Sequence, residues 1–499
     1  MKRHVAGLAV LAMQVIIAGP PVASAQVANQ QGASPSFGSI NTPRPINPAT
    51  DSTNPSARAT QSLNPYLGSA SDGKVVNGVL TLSLADAIAR GEKYNLGLID
   101  DQQTDARTRA QREHALAALL PQISARAEQD FEQLSFQQIG IKLPKSAGIV
   151  LPPTSGAFGY SEARIQAESP VVNFRLLDKY KQQKKLEQAS LLSTTDARDV
   201  VAFAVGAAYF QVVASQARLV AAQTAETAAA ELNRQVEDQF KSEVSPEIDA
   251  LKARVELSTA KQRVVNATND LEKDKLTLDR VAGIPLEQQW KPSGLYDATV
   301  STTPEPASST TTQSRSDLAS LKQEVSAAEF GVRSAHAERL PEISFAGTYG
   351  GGGQNPANYN QVYSVQGSIS VSIFTSGRIR SDVHEAEANL IQRRAEYLDL
   401  QGRVDYDIRT ARLDVHASTS AVKVALDNRK LANKALEQSE DRFKNGVTNY
   451  LEVLQAQQAQ EAANDNYVAS MFSLNVAKMA LARALGSAES HLGELFGSN

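Results

Sequence analysis

The chain has 499 residues, with 50 lysines and arginines against 54 aspartates and glutamates, a formal net charge of -4 and no cysteine. A balance so near neutral, with no basic stripe, gives no electrostatic footprint for a nucleic-acid partner. The missing cysteine excludes disulfides, thiol catalysis, cysteine-ligated metal or iron–sulfur sites and an acylated N-terminal cysteine.

Residues 1–25 read as an export signal. Lys2 and Arg3 precede an apolar run from Val5 to about Ala18, and Ala23-Ser24-Ala25 offers a small-x-small cleavage pattern before Gln26. The run is shorter than the ~20 residues a spanning helix needs. Residues 26–76 are rich in Ser, Thr, Asn, Gln, Pro and Gly and have too few large apolar groups to offset chain entropy, so a flexible tail is expected.

A first structural repeat is assigned to 77–295. Leu82-Ser83-Leu84-Ala85-Asp86-Ala87-Ile88 opens a helix with Ser83 as N-cap, and helical spacing continues to the break at Pro121. Strands are expected near 121–135 and 158–174, flanking a loop over 139–153. A proline-free helical stretch then runs over about 176–242, roughly 100 Å at 1.5 Å per residue, and reverses at a tip near 243–247. No compact domain buries such a helix, so it must pack sideways on others as in a coiled coil.

Residues 296–316 form a low-complexity inter-repeat linker containing Ser308-Ser309-Thr310-Thr311-Thr312. The second repeat, 317–488, follows the same plan, with strands near 342–350 and 363–374, a long helix over 378–445 and a tip near 445–449; 489–499 is a C-terminal tail. Its strands alternate Ile343, Phe345, Gly347 and Tyr349 with Ser344, Ala346 and Thr348, a period of two that gives each strand one apolar face. Gly350 to Pro356 reads as a hairpin loop. It is no phosphate loop, because neither a Lys-Ser/Thr pair nor a helix start follows.

The repetition extends to single residues. Asp238-Gln239-Phe240-Lys241, Val244-Ser245, Ile248-Asp249 and Leu251 return as Asp441-Arg442-Phe443-Lys444, Val447-Thr448, Leu451-Glu452 and Leu454, roughly 200 positions later. Leu278, Arg280 and Gly283 match Leu481, Arg483 and Gly486. Ser245 and Thr448 are aligned N-cap candidates, Pro246 suits the first position of its returning helix, and Glu243 stands where the second copy has Gly446, which predicts tips of different shape.

Apolar-faced strand pairs on an exported chain point to the outer membrane of a Gram-negative cell, where strands of about ten residues span. Four strands cannot close a barrel alone, since single-chain barrels begin at about eight, so spanning lipid requires an oligomer.

The opening at 82–88, the paired motifs Leu120-Pro121-Gln122-Ile123-Ser124 and Leu340-Pro341-Glu342-Ile343-Ser344, the strand exit Phe374-Thr375-Ser376-Gly377-Arg378 and the tip Phe443-Lys444-Asn445-Gly446-Val447 resemble the TolC-like outer membrane efflux proteins over residues 80–488. The resemblance implies a mainly α fold with a small membrane β portion: a homotrimer in which each chain gives four strands to a shared 12-stranded barrel and its helices to a long periplasmic coiled-coil barrel. It implies a passive exit duct for multidrug efflux or type I secretion, embedded in outer membrane lipid and docked on a periplasmic adaptor and an inner-membrane pump, with no enzyme activity, cofactor or metal. It places the periplasmic pore constriction at Glu452, Asp249 and Gln455, and the adaptor contact at Gly446, Val447, Thr448, Val244 and Ser245. The competing expectation is an exported periplasmic or wall-associated coiled-coil scaffold without channel activity.

Overall fold

The computed structural model describes residues 64–486 apart from 72, 76–77, 136–153, 244, 294–314 and 355–358. The expected signal, most of the 26–76 tail and of the 296–316 linker, the 139–153 loop and the 489–499 tail lie outside the described residues.

The first repeat begins with β1 (Leu80–Leu82) and α1 (Leu84–Tyr94). Ser83 accepts from the Asp86 amide while the Asp86 carboxylate accepts from the Ser83 amide, so two otherwise orphaned helix donors are satisfied reciprocally. Next come α2 (Leu96–Ala117), β2 (Gln122–Glu132), β3 (Phe158–Val172), α3 (Phe174–Lys241), α4 (Glu247–Ala282) and β4 (Trp290–Pro292), which pairs in parallel with β1. The second repeat is α5 (Ser316–Ala337), β5 (Glu342–Gly353), β6 (Asn360–Ser370), α6 (Arg378–Lys444) and α7 (Tyr450–Ala484). The fold is mainly α, and its long helices α3 and α6 have 68 and 67 residues.

Four strands form one antiparallel sheet in the order β2-β3-β5-β6, so the β3–β5 pairing joins the two repeats and leaves β2 and β6 as outer strands. Ile123, Phe131, Ile165, Phe345, Tyr349 and Val365 stand on one face. The opposite face is polar, and there Ser344 and Thr348 pair across the strands with Ser368 and Ser364, each at 2.7 Å. The expected glycine loop is corrected over its first four residues: Gly350 to Gly353 continue β5, each paired with β3. Space explains the residue choice, since a Cβ at Gly350 would overlap the Ala163 carbonyl oxygen and one at Gly352 the Tyr160 hydroxyl.

Asn173 couples the sheet to the helices. It is buried, accepts from the Leu176 amide at 2.9 Å to cap α3, and donates to Glu342 of β5 at 2.6 Å, so the helix start in one repeat is set against the strand start in the other. Farther down, α3 packs against α2, α5, α4 and α7, and α7 packs against α6. The wall therefore reads α4-α3-α7-α6 toward the tips. By length and composition α3 is also apolar enough to cross a membrane, but 50% of its most apolar stretch is buried inside the protein, as befits a core helix.

A core below the sheet collects Leu98, Val201, Val205, Leu278, Val281 and Trp290. Within it the Trp290 indole N–H donates to Asp279 at 2.7 Å. Burial pushes the Asp279 carboxyl up to about 7, against the opposing pull of that N–H and of Lys275. The folded state thus holds this proton more tightly than the unfolded chain, so the group's contribution to stability falls as pH rises from about 4 to about 7. Asp279→Asn is expected to remove that slope, worth at most about 4 kcal/mol, in urea unfolding followed by the emission of Trp290, the chain's single tryptophan.

Candidate functional site

The two helix tips are built on a shared stop. Glu243 and Gly446 both adopt the left-handed conformation, with φ of 61° and 70°. The Glu243 amide donates to the Phe240 carbonyl and the Gly446 amide to the Phe443 carbonyl, both at 3.0 Å. The expectation of different shapes is therefore corrected at this turn: backbone closure dictates the conformation, and the residue follows at one tip and not at the other. A Cβ at Gly446 would meet nothing within 4 Å, so glycine serves conformation there, and Glu243 carries a strain of about 1 kcal/mol.

The returning helices start differently from the expectation. Pro246 occupies the N-cap of α4, one position before the helix, and makes no side-chain cap bond. Asn449, rather than Thr448, caps α7, its side-chain oxygen accepting from the Glu452 amide at 3.2 Å. Thr448 is otherwise engaged, because its hydroxyl donates to the Glu452 carboxylate. Ser245 is half-buried and caps nothing, and Val244 lies outside the described residues.

The proposed constriction residues sit in the first turns of α4 and α7. Glu452 lies 3.6 Å from Arg442 across its own turn, and Asp249 lies 3.7 Å from Lys252, so each acid has a cation on its own hairpin. Gln455 is exposed. Val447 is 66% exposed, an apolar group presented at the extreme of the second tip. Among the described residues no cluster of histidine and carboxylate side chains could hold a metal ion.

Sequence reasoning missed what joins the tips. Phe443 and Tyr450 are buried with Leu232 and Val236 of α3 and Val453 of α7 in one cluster spanning both repeats. Burial pushes the Tyr450 hydroxyl up to about 12, and the nearby carboxylates of Glu256 and Asp249 add to the shift. The first tip's acid thus lies within electrostatic reach of the second tip's core. Arg263 of α4 reaches Glu461 of α7 at 2.6 Å. The aligned Phe240 is 41% exposed against 7% for Phe443, a difference no local pattern announces. In thermal unfolding, Gly446→Ala is expected to lower stability and Glu243→Gly to raise it, each by about 1 kcal/mol, with faster and slower amide exchange respectively in the turn concerned.

Residues 307–487 match the family model of the outer membrane efflux protein. No curated protein matches the chain. The fold is similar to the Campylobacter jejuni CmeC outer membrane channel, with a TM-score of 0.71 at 18% identity over 87% of this chain and 95% of that one. It is also similar to the open state of the Neisseria gonorrhoeae MtrE outer membrane channel, with a TM-score of 0.69 at 17% identity over 85% and 96%. The outer membrane protein VceC from Vibrio cholerae gives 0.69 at 15% identity over 81% and 96%. The family match lies in the second repeat, and the structural likeness takes in both. Residues 307–487 thus carry the pattern of an outer membrane efflux protein domain, and the duplicated framework of long helices and four strands has the fold of these outer membrane proteins.

Proposed function

We propose that the protein is the exit duct of a tripartite export system, a homotrimer that passively conducts cargo from an inner-membrane pump and a periplasmic adaptor to the cell exterior. The observation that carries this reading is the pair of free sheet edges. Among the described residues one side of β2 and one side of β6 have no strand partner, and each unpaired group in lipid costs several kcal/mol. A wall open at both ends closes by repeating head to tail, the β2 edge of one copy meeting the β6 edge of the next. Since four strands fall short of the smallest closed barrels, at about eight, more than one copy is required, and the TolC-like plan makes the number three.

The helical wall supports the same closure. α6 leaves a stripe of Ile391, Leu398, Tyr406, Leu413, Val424 and Leu431, each at least 60% exposed, at helical spacing over much of its length. α4, at the other end of the wall, leaves Val255 and Val265 exposed at 66% and 62%. Stripes of this kind are what neighbouring helices of a coiled-coil barrel cover. A wall-associated scaffold would leave both these stripes and the apolar sheet face in water. Drug efflux, metal efflux and protein secretion use a duct of one design, so cargo follows from the adaptor and pump engaged at the tips, around Gly446, Val447, Thr448 and the first-repeat residues Val244 and Ser245.

At the periplasmic mouth Glu452, Asp249 and Gln455 form the constriction, with Arg442 offsetting part of the Glu452 charge. In planar bilayers the purified protein is expected to give conductance only as the trimer, and its absence would contradict the duct. Glu452→Gln is expected to lower the cation-to-anion permeability ratio about twofold and to weaken block by divalent cations, and an unchanged reversal potential would remove Glu452 from the constriction.

A further inference from the structure

We propose that the polar face of β2 and β3 carries a second charge filter inside the barrel, with Arg126, Glu128, Glu162 and Arg164 as its specificity-determining residues. The inference rests on the closed-barrel reading, which turns this face toward the water-filled lumen and the apolar face toward lipid. Strand register sets Arg126 directly opposite Arg164 and Glu128 directly opposite Glu162. Like charges placed opposite one another weaken a strand pair, so sheet stability gives no reason for the arrangement. Relief comes along each strand, where Arg126 bonds Glu128 at 2.6 Å and Arg164 bonds Glu162. The outcome is a cationic row beside an anionic row, about 7 Å apart along the strand axis.

The neighbouring strand makes room for them. Gly350 stands opposite Arg164 and Gly352 opposite Glu162. A Cβ at Gly350 would come within 2.9 Å of the Arg164 Cγ, so a side chain there would displace the arginine. Gly350, part of the run that broke the expected pattern of β5, thus leaves the space that the Arg164 side chain occupies. The same face of β5 and β6 offers Ser344, Thr348, Ser364 and Ser368, all neutral. Apart from Glu342 at the start of β5, which accepts from Asn173, charge on this face belongs to the first repeat's strands, and the closed barrel repeats it in every copy.

Two consequences follow for what passes. The carboxylates of Glu128, Asp130, Glu132, Glu162 and Glu168 share this face by strand alternation and outnumber its arginines, Arg126 and Arg164, so the band favours cationic cargo. The two rows also stack along the pore axis, so ions accumulate between them under one polarity and deplete under the other, and current should rectify.

The test is bilayer recording on the full-length protein in a KCl gradient. Glu128→Gln with Glu162→Gln should lower the cation-to-anion permeability ratio about twofold, and Arg126→Gln with Arg164→Gln should raise it by a similar factor, while Ser368→Ala leaves it unchanged. The exchange Arg126→Glu with Glu128→Arg keeps the net charge and the ion pair, and should alter rectification at an unchanged permeability ratio. Wild-type conductance with a ratio and rectification indifferent to all of these variants would overturn the filter and leave the duct intact. Absence of any wild-type conductance would overturn the duct and the filter with it.

Discussion

On the duct reading, two strand edges that lipid cannot hydrate govern the rest of this molecule. A β-sheet is acceptable in hydrocarbon only when every backbone donor and acceptor has a partner, and the order β2-β3-β5-β6 leaves a row of each at both ends. Because β3 and β5 come from different repeats, duplication makes one half of the sheet the neighbour of the other half. The helices inherit this arrangement. Asn173 caps α3 and holds Glu342 in the same bond network, so the orientation of the strands is handed directly to a helix of 68 residues.

At the far end the duplicated tips obey one backbone rule with different residues. Both helices stop through a left-handed residue, supplied by glycine in one copy and by glutamate in the other. What differs is the covering. Phe443 and Tyr450 are drawn into a core with α3, whereas Phe240 remains exposed, so the second hairpin is anchored and the first leaves apolar surface open. Glu452 is tied to Arg442 and Thr448 within that anchored hairpin.

Much of the framework was legible in the sequence because its signals are local. Alternation of Ile343, Phe345 and Tyr349 marks a strand, absence of proline marks the long helices, and the copied Asp-x-Phe-Lys element marks the two tips. The misreadings have one physical origin, which is dependence on residues distant in the chain. Gly350 to Gly353 look like a loop because glycine punctuates, and only their pairing with Ala163, Arg164 and Glu162 turns them into strand. Thr448 looks like a cap until its hydroxyl is seen bonded to Glu452, which leaves the role to Asn449. The Phe240 and Phe443 pair carries closely similar local context and opposite burial, because Phe443 enters the cluster with Leu232 and Val236 of α3 and Phe240 points away from it.

The central claim is that one copy's β2 pairs with the next copy's β6. The chain contains no cysteine, so cysteines introduced at Ile123, Ala125 or Ala127 of β2 together with one at Val365, Gly367 or Ile369 of β6 report proximity without background. Oxidation in intact outer membranes, followed by denaturing electrophoresis, should give covalent dimers and trimers, with no larger species, for the combinations in register. Monomer alone for every combination would contradict a shared barrel.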